Sequence, residues 1–173
     1  MWDWLAPVLV FVFFVTFVLI ANIFTNKQYN KTLNKIVDRF KKIYPKSSIR
    51  FTEKNYPYQI ELINDKTKII IKVIESKESF EFIITNADNW IINRSPQHWN
   101  RKTKPDFIPK TKAFIEYSDS DVNLIKIVVI YPTCKHVIRY LNESDTVIMK
   151  DSDNFRGINF VRFDKLDDFL KNQ

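Results

Sequence analysis

The chain has 173 residues, 27 Lys and Arg against 20 Asp and Glu, a formal net charge of +7, and one glycine, Gly157. A single glycine rules out the G-x-x-x-x-G-K-S/T phosphate loop and the G-x-G-x-x-G turn, and G-x-S-x-G is absent, so Walker-type NTPases and dinucleotide-binding enzymes are excluded. Cys134 is the only cysteine, so no intrachain disulfide can form, which fits a reducing compartment.

The first element is apolar. No charged residue lies between Trp4 and Asn26, and roughly 20 helical residues cross a bilayer's hydrocarbon layer. Pro7 stands in the first turn, where a missing N–H costs little, and Trp2 and Trp4 lie where an interfacial aromatic belt is expected. A cleaved signal peptide needs a basic N-terminal region and an A-x-A-like site; Asp3 and the stretch Ile20-Ala21-Asn22-Ile23-Phe24 supply neither. Residues 1–26 are therefore expected to be an uncleaved transmembrane anchor. Lys27, Lys31, Lys35, Arg39, Lys41, Lys42 and Lys46 follow it, opposed only by Asp38, and the positive-inside rule then predicts a cell-membrane protein with its C-terminal domain in the cytoplasm.

Residues 27–46 are expected to form a basic juxtamembrane helix. Tyr29, Leu33, Ile36, Val37, Phe40, Ile43 and Tyr44 recur at helical spacing. Lys27, Lys31, Lys35 and Arg39 are four apart, so they stack on one side, where an anionic leaflet favours each by about 1 kcal/mol. The row reads equally as a solvated face.

Residues 47–173 read as one globular domain; with the juxtamembrane helix included, everything after the anchor carries +8, 27 basic against 19 acidic residues once Asp3 is set aside. A short strand is expected over 48–53. Tyr58–Asn64, Lys68–Ile74 and Phe80–Thr85 read as a three-stranded meander, with turn chemistry at Asn64-Asp65-Lys66-Thr67. Trp90–Asn93 extends or follows it. Residues 94–112 mix basic, aromatic and proline residues and are expected to be irregular. Trp90, Arg94, Trp99, Arg101, Lys102 and Lys104 are its candidate nucleic-acid or partner contacts, aromatics stacking bases while cations meet phosphates. The competing reading is a positively charged loop pinned by its aromatics. Leu124–Tyr131 is almost wholly apolar, as in a strand buried on both faces. A short helix is expected over 134–141, strands over 146–150 and 157–163, and a terminal helix capped by Asp164 with Leu166, Phe169 and Leu170 facing inward.

Other constellations are weak. Cys134 and His136 lack further ligands at zinc-site spacing, so no metal site is assigned. His98 and His136 have no motif support as catalytic bases. The triplets 119–121, 143–145 and 151–153, each acid-Ser-acid, read as solvated turns.

The order helix, meander, insertion, buried strand, short helix, strand, helix over residues 28–170 resembles the restriction-endonuclease-like fold of the PD-(D/E)xK superfamily, including its membrane-linked nuclease-related branch. The resemblance implies an α/β (α+β) domain with a mixed central sheet in the order α-β-β-β-(insertion)-β-α-β-α. It also implies an acid on the second core strand and a D/E-x-K triplet on the next, together holding a divalent metal that activates water. Two mappings are open. By strand phase, Pro57-Tyr58-Gln59 and Ile70-Ile71-Lys72 occupy those positions, so both acids are lost and Lys72 alone remains. By literal pattern, Asp65 is followed ten residues later by Glu75-Ser76-Lys77, and Mg²⁺ would then be required. The first mapping implies a non-enzymatic, membrane-anchored cytoplasmic domain that acts as a tether or accessory protein, binds a protein or nucleic acid near the anionic inner leaflet, and needs no cofactor. The second implies a metal-dependent nuclease using Asp65, Glu75 and Lys77. A structural subunit of a membrane complex is the third class.

Overall fold

The computed structural model describes residues 5–53, 55–64, 67–85, 88–94, 106–142, 145–151 and 153–171. The chain divides into two units, Met1–Lys35 and Ile36–Gln173.

Helix α1 (Leu5–Ile43) is continuous from the apolar run into the basic segment. It contains a stretch long and apolar enough to cross a membrane. Within the first unit, every large apolar side chain described from Val8 to Phe24 is exposed. The hydroxyls of Thr16 and Thr25 donate back to the carbonyls of Val12 (2.7 Å) and Ala21 (2.9 Å), so these two hydroxyls are satisfied within the helix.

The second unit is α+β. Its strands are β1 (Ser48–Phe51), β2 (Ile60–Asn64), β3 (Thr67–Glu75), β4 (Glu81–Ile84), β5 (Trp90–Asn93), β6 (Asp106–Phe107), β7 (Asn123–Tyr131), β8 (His136–Tyr140), β9 (Thr146–Met149), β10 (Asn154–Phe155) and β11 (Ile158–Arg162). Helix α2 (Thr111–Glu116) precedes β7, and α3 (Leu166–Lys171) follows a 3-10 turn at Phe163–Lys165. The strands form two mixed sheets, in the orders β1-β2-β3-β7-β11-β10 and β6-β5-β4-β8-β9. In the first, β1, β2 and β3 are successive antiparallel neighbours, while β3, β7 and β11 run parallel.

The first sheet is buried on both faces at its centre. Ile70, Ile74, Val128, Ile130, Ile158 and Phe160 join Phe82, Ile84, Trp90 and Val137 of the second sheet, and Phe114 of α2, in one core cluster. The alternating residues Ile69, Ile71, Val73, Ile127, Val129 and Val161 are buried on the opposite face. The buried Ile36, Val37 and Phe40 from the last turns of α1, with Leu166, Phe169 and Leu170 of α3, supply apolar cover there. Arg39 joins the two helices, donating to Asp167 at 2.6 Å and lying 4.5 Å from the Phe163 ring centroid.

Five expectations are corrected. There are two mixed sheets, not one central sheet. The meander is β1-β2-β3, one strand earlier than expected: β4 leaves after a turn in which Phe80 N–H donates to the Lys77 carbonyl, and β7 pairs along the whole free edge of β3, from Thr67–Asn123 to Glu75–Tyr131. The short helix expected over 134–141 is strand β8, parallel to β4; Val137, Ile138 and Tyr140 are strand formers, and their spacing mimicked a helical face. The irregular excursion contains β6 and α2, the latter entered through Lys110 in the left-handed region (φ 57°). Asp164 lies inside the 3-10 turn that leads into α3, rather than capping that helix from outside.

Candidate functional site: a buried polar cluster on the central sheet

The β2–β3 register sets Glu61 opposite Ile70. Lys68, Ile70, Lys72 and Ile74 alternate onto that same face of β3. Two lysines and a glutamate thus enter a face that the rest of the core makes apolar, where each charge needs a partner.

Glu61 is 2% exposed and accepts hydrogen bonds from Tyr58 Oη (2.9 Å) and Arg50 Nη2 (3.3 Å), with Lys68 Nζ at 3.7 Å. Lys68 donates to Tyr117 Oη and to Asp119 Oδ2, both at 3.1 Å. The Tyr58 and Tyr117 hydroxyls lie 3.3 Å apart and their rings meet edge to face. Burial pulls the Lys68 ammonium down, but its bonds to Tyr117 and Asp119 and the charge of Glu61 outweigh that, so its pKa is raised. Burial, then the bonds to Tyr117 and Glu61, raise the Tyr58 phenol above its ordinary range.

Lys72 is 3% exposed and has a different environment. Its Nζ donates to the carbonyls of Pro57 (3.0 Å) and Pro109 (2.9 Å), and its charge sits 5.9 Å from the Phe114 ring. Burial, with Lys110 nearby, lowers its pKa to about 8. Lys126, opposite Ile70 on β7, donates to the Ile115 carbonyl, and burial lowers its pKa too. Lys72 and Lys126 thereby hold backbone at both ends of α2 and seat Phe114 in the core. This is structural chemistry: Lys72 is a hydrogen-bond donor to carbonyls, without a carboxylate among its partners. Among the described residues no group of three His, Cys, Asp or Glu side chains is placed to hold a metal ion.

Asp65 lies outside the described residues. Glu75 ends β3 and is exposed, as is Lys77, whose Nζ lies 5.7 Å from the Phe80 ring.

The basic, aromatic segment changes character. Trp90 is corrected from a base-stacking platform to a core residue: it is 1% exposed, edge-on to Phe82, Phe114 and Phe160, so no base can reach its ring. Arg94 is exposed and paired with Asp106. Trp99, Arg101, Lys102, Lys104 and His98 lie outside the described residues. In the basic row, Lys27, Lys31 and Lys35 are exposed, whereas Arg39 is engaged by Asp167 and Phe163 within the domain. Cys134 is buried, its Sγ donates to the His136 carbonyl, and burial pushes its thiol up to about 12. Asp119 and Asp151 of the acidic triplets pair with Lys68 and Arg162.

Glu61, Lys68, Tyr117 and Lys126 were not singled out from sequence. The available signal was the pair Lys68 and Lys72 inside a β-branched run, since lysines in a strand buried on both faces must find partners. No family model, no curated protein and no solved structure matches this chain.

Proposed function

We propose that the chain is a membrane-tethered, non-catalytic binding domain: a nuclease-like sheet without its metal-holding carboxylates, kept near the inner leaflet as a tether or accessory protein. The observation that carries this reading is Lys72. It occupies the phase-matched position of the D/E-x-K lysine, yet the residue two before it is Ile70, and its ammonium is bound by the Pro57 carbonyl, from the segment where the first acid would stand. The antiparallel run β1-β2-β3 continuing into parallel β7 and β11 supports the restriction-endonuclease-like order, and β8 in place of the expected helix departs from it.

In this reading the apolar part of α1 crosses the bilayer. Lys27, Lys31 and Lys35 meet anionic headgroups, and everything after the anchor, +8 from residue 27 onward, is cytoplasmic, where it binds an anionic partner, protein or nucleic acid. The test is a cleavage assay with the full-length chain in detergent, single- and double-stranded DNA and RNA, and Mg²⁺ or Mn²⁺. The reading predicts no cutting. Metal-dependent cutting that Glu75→Ala abolishes would overturn it and make Asp65, Glu75 and Lys77 the site.

A further inference from the structure

Outside the cluster on the central sheet, and among the described residues, one buried side-chain nitrogen of a charged group has no hydrogen-bond partner. Arg139, on β8, extends from the core-facing side of the second sheet, the side that carries Val137. Its Nε is sealed from solvent without a hydrogen-bond partner, and among the described residues its guanidinium has no carboxylate. What it has is an aromatic face: its Cζ lies 4.2 Å from the ring centroid of Phe155. A guanidinium is a planar set of donors, and a ring face satisfies its charge but none of its N–H groups.

A second arginine converges on the same ring. Arg156 Cζ is 5.3 Å from the Phe155 centroid, and Asp88 holds its Nη1 at 2.6 Å. Arg156 sits in the β10–β11 turn at φ 53°, followed by Gly157 at φ 74°. Two positive-φ residues between paired strands make the tight hairpin turn that favours Asn-Gly or Gly-Gly. An arginine there is strained, and its side chain emerges beside Phe155. The corner therefore holds two guanidiniums on one ring, with Asp88 paired to Arg156.

We infer that Arg139 and Arg156, backed by Phe155, form a binding site for a phosphate group. Phosphate supplies several strong acceptor oxygens, and the flat fork of arginine donors matches two of them at once. Asp88 acts as the resident competitor, holding Arg156 until a more highly charged oxyanion arrives. Neither Arg139 nor Arg156 contributes to the cluster around Glu61 and Lys72, so the inference stands apart from the proposed loss of nuclease chemistry.

The test is titration of the full-length chain, in nanodiscs of zwitterionic lipid, with inorganic phosphate, with a short single-stranded oligonucleotide, and with acetate as a singly charged control. Binding is followed by calorimetry and by the melting temperature. Saturable phosphate binding is expected, at least tenfold weaker in Arg139→Gln and several-fold weaker in Arg156→Asn, which keeps a residue suited to the turn. Asp88→Asn is expected to tighten it. Tighter binding of the oligonucleotide with the same dependence on both arginines would identify the phosphate as a nucleic-acid phosphodiester; inorganic phosphate alone would identify a small phosphorylated ligand. Absence of saturable phosphate binding, binding no stronger than that of acetate, or binding unchanged in both arginine variants would overturn the inference. Arg156→Asn, on an exposed turn, keeps the test decisive even if Arg139→Gln fails to fold.

Discussion

Glu61 shows how a buried charge is carried in this domain. It is almost inaccessible and is compensated by Tyr58, Arg50 and Lys68, while Lys68 has Asp119 and Tyr117 besides. Glu61→Ala removes the shared acceptor and leaves donors facing an apolar wall. Because Lys68 retains Asp119, the expected loss is about 3 kcal/mol, the lower end for breaking a buried pair. Urea unfolding of the full-length chain in detergent measures it, and a loss below about 0.5 kcal/mol, the scale of an ordinary surface substitution, would mean that the cluster is not a structural keystone. Lys72 gives a pH-dependent counterpart. Its pKa falls from 10.5 to about 8 on folding, so the cost of its buried charge is fully present below pH 8. Between pH 8 and 10.5 the folded amine is neutral while the unfolded one is still charged, and stability rises with pH by at most about 3 kcal/mol. Above pH 10 the raised pKa of Tyr58 acts in the opposite direction. The stability difference between the native chain and Lys72→Met, taken from pH 7 to pH 10, isolates the lysine and should grow in favour of the native chain. Lys72 was visible in the sequence because a lysine interrupts a β-branched run. Glu61 was not, because nothing local to its strand announces that a second sheet and α2 cover that side of the first sheet.

At the scale of elements, the β10–β11 turn sets stability against the anion site. A non-glycine residue in the left-handed region costs roughly 1–2 kcal/mol, which Asn reduces. The Arg156–Asp88 pair is partly exposed on both sides and returns little. Arg156→Asn should therefore stabilise the domain by about 0.5–1 kcal/mol, seen as a higher melting temperature, while weakening phosphate. A lower melting temperature would show that the arginine is structural there. Trp90 belongs to the opposite class: Trp90→Ala empties the junction with Phe82, Phe114 and Phe160 and should cost about 3–5 kcal/mol. The same elements show what a sequence conveys. The apolar helix, β7 and the inward face of α3 were legible, because each carries an unbroken or periodic apolar pattern. Strand β8 was not, since a five-residue stretch with only Val137, Ile138 and Tyr140 apolar is short enough to fit either period. Trp90 was misplaced because its neighbours in sequence are basic, whereas its neighbours in space come from β4, α2 and β11. Helix α2 is six residues long and is held by Lys72 and Lys126 from distant strands, so nothing local announces it.

The whole molecule joins an apolar helix, a basic row and a domain that carries ionic chemistry without a metal-binding constellation among its described residues. If the basic row sets orientation, replacing Lys27, Lys31 and Lys35 with Gln should produce a mixed population, read by protease accessibility of a C-terminal tag in oriented vesicles. Lys41, Lys42 and Lys46 remain, so partial loss of orientation is expected, not full inversion. A fully unchanged orientation would assign topology to the later lysines. The proposal that the sheet holds no catalytic metal is tested most directly by calorimetric titration of the full-length chain in detergent with Mn²⁺. The account predicts no saturable binding and the same flat titration for Glu75→Ala; a stoichiometric site that Glu75→Ala removes would contradict it.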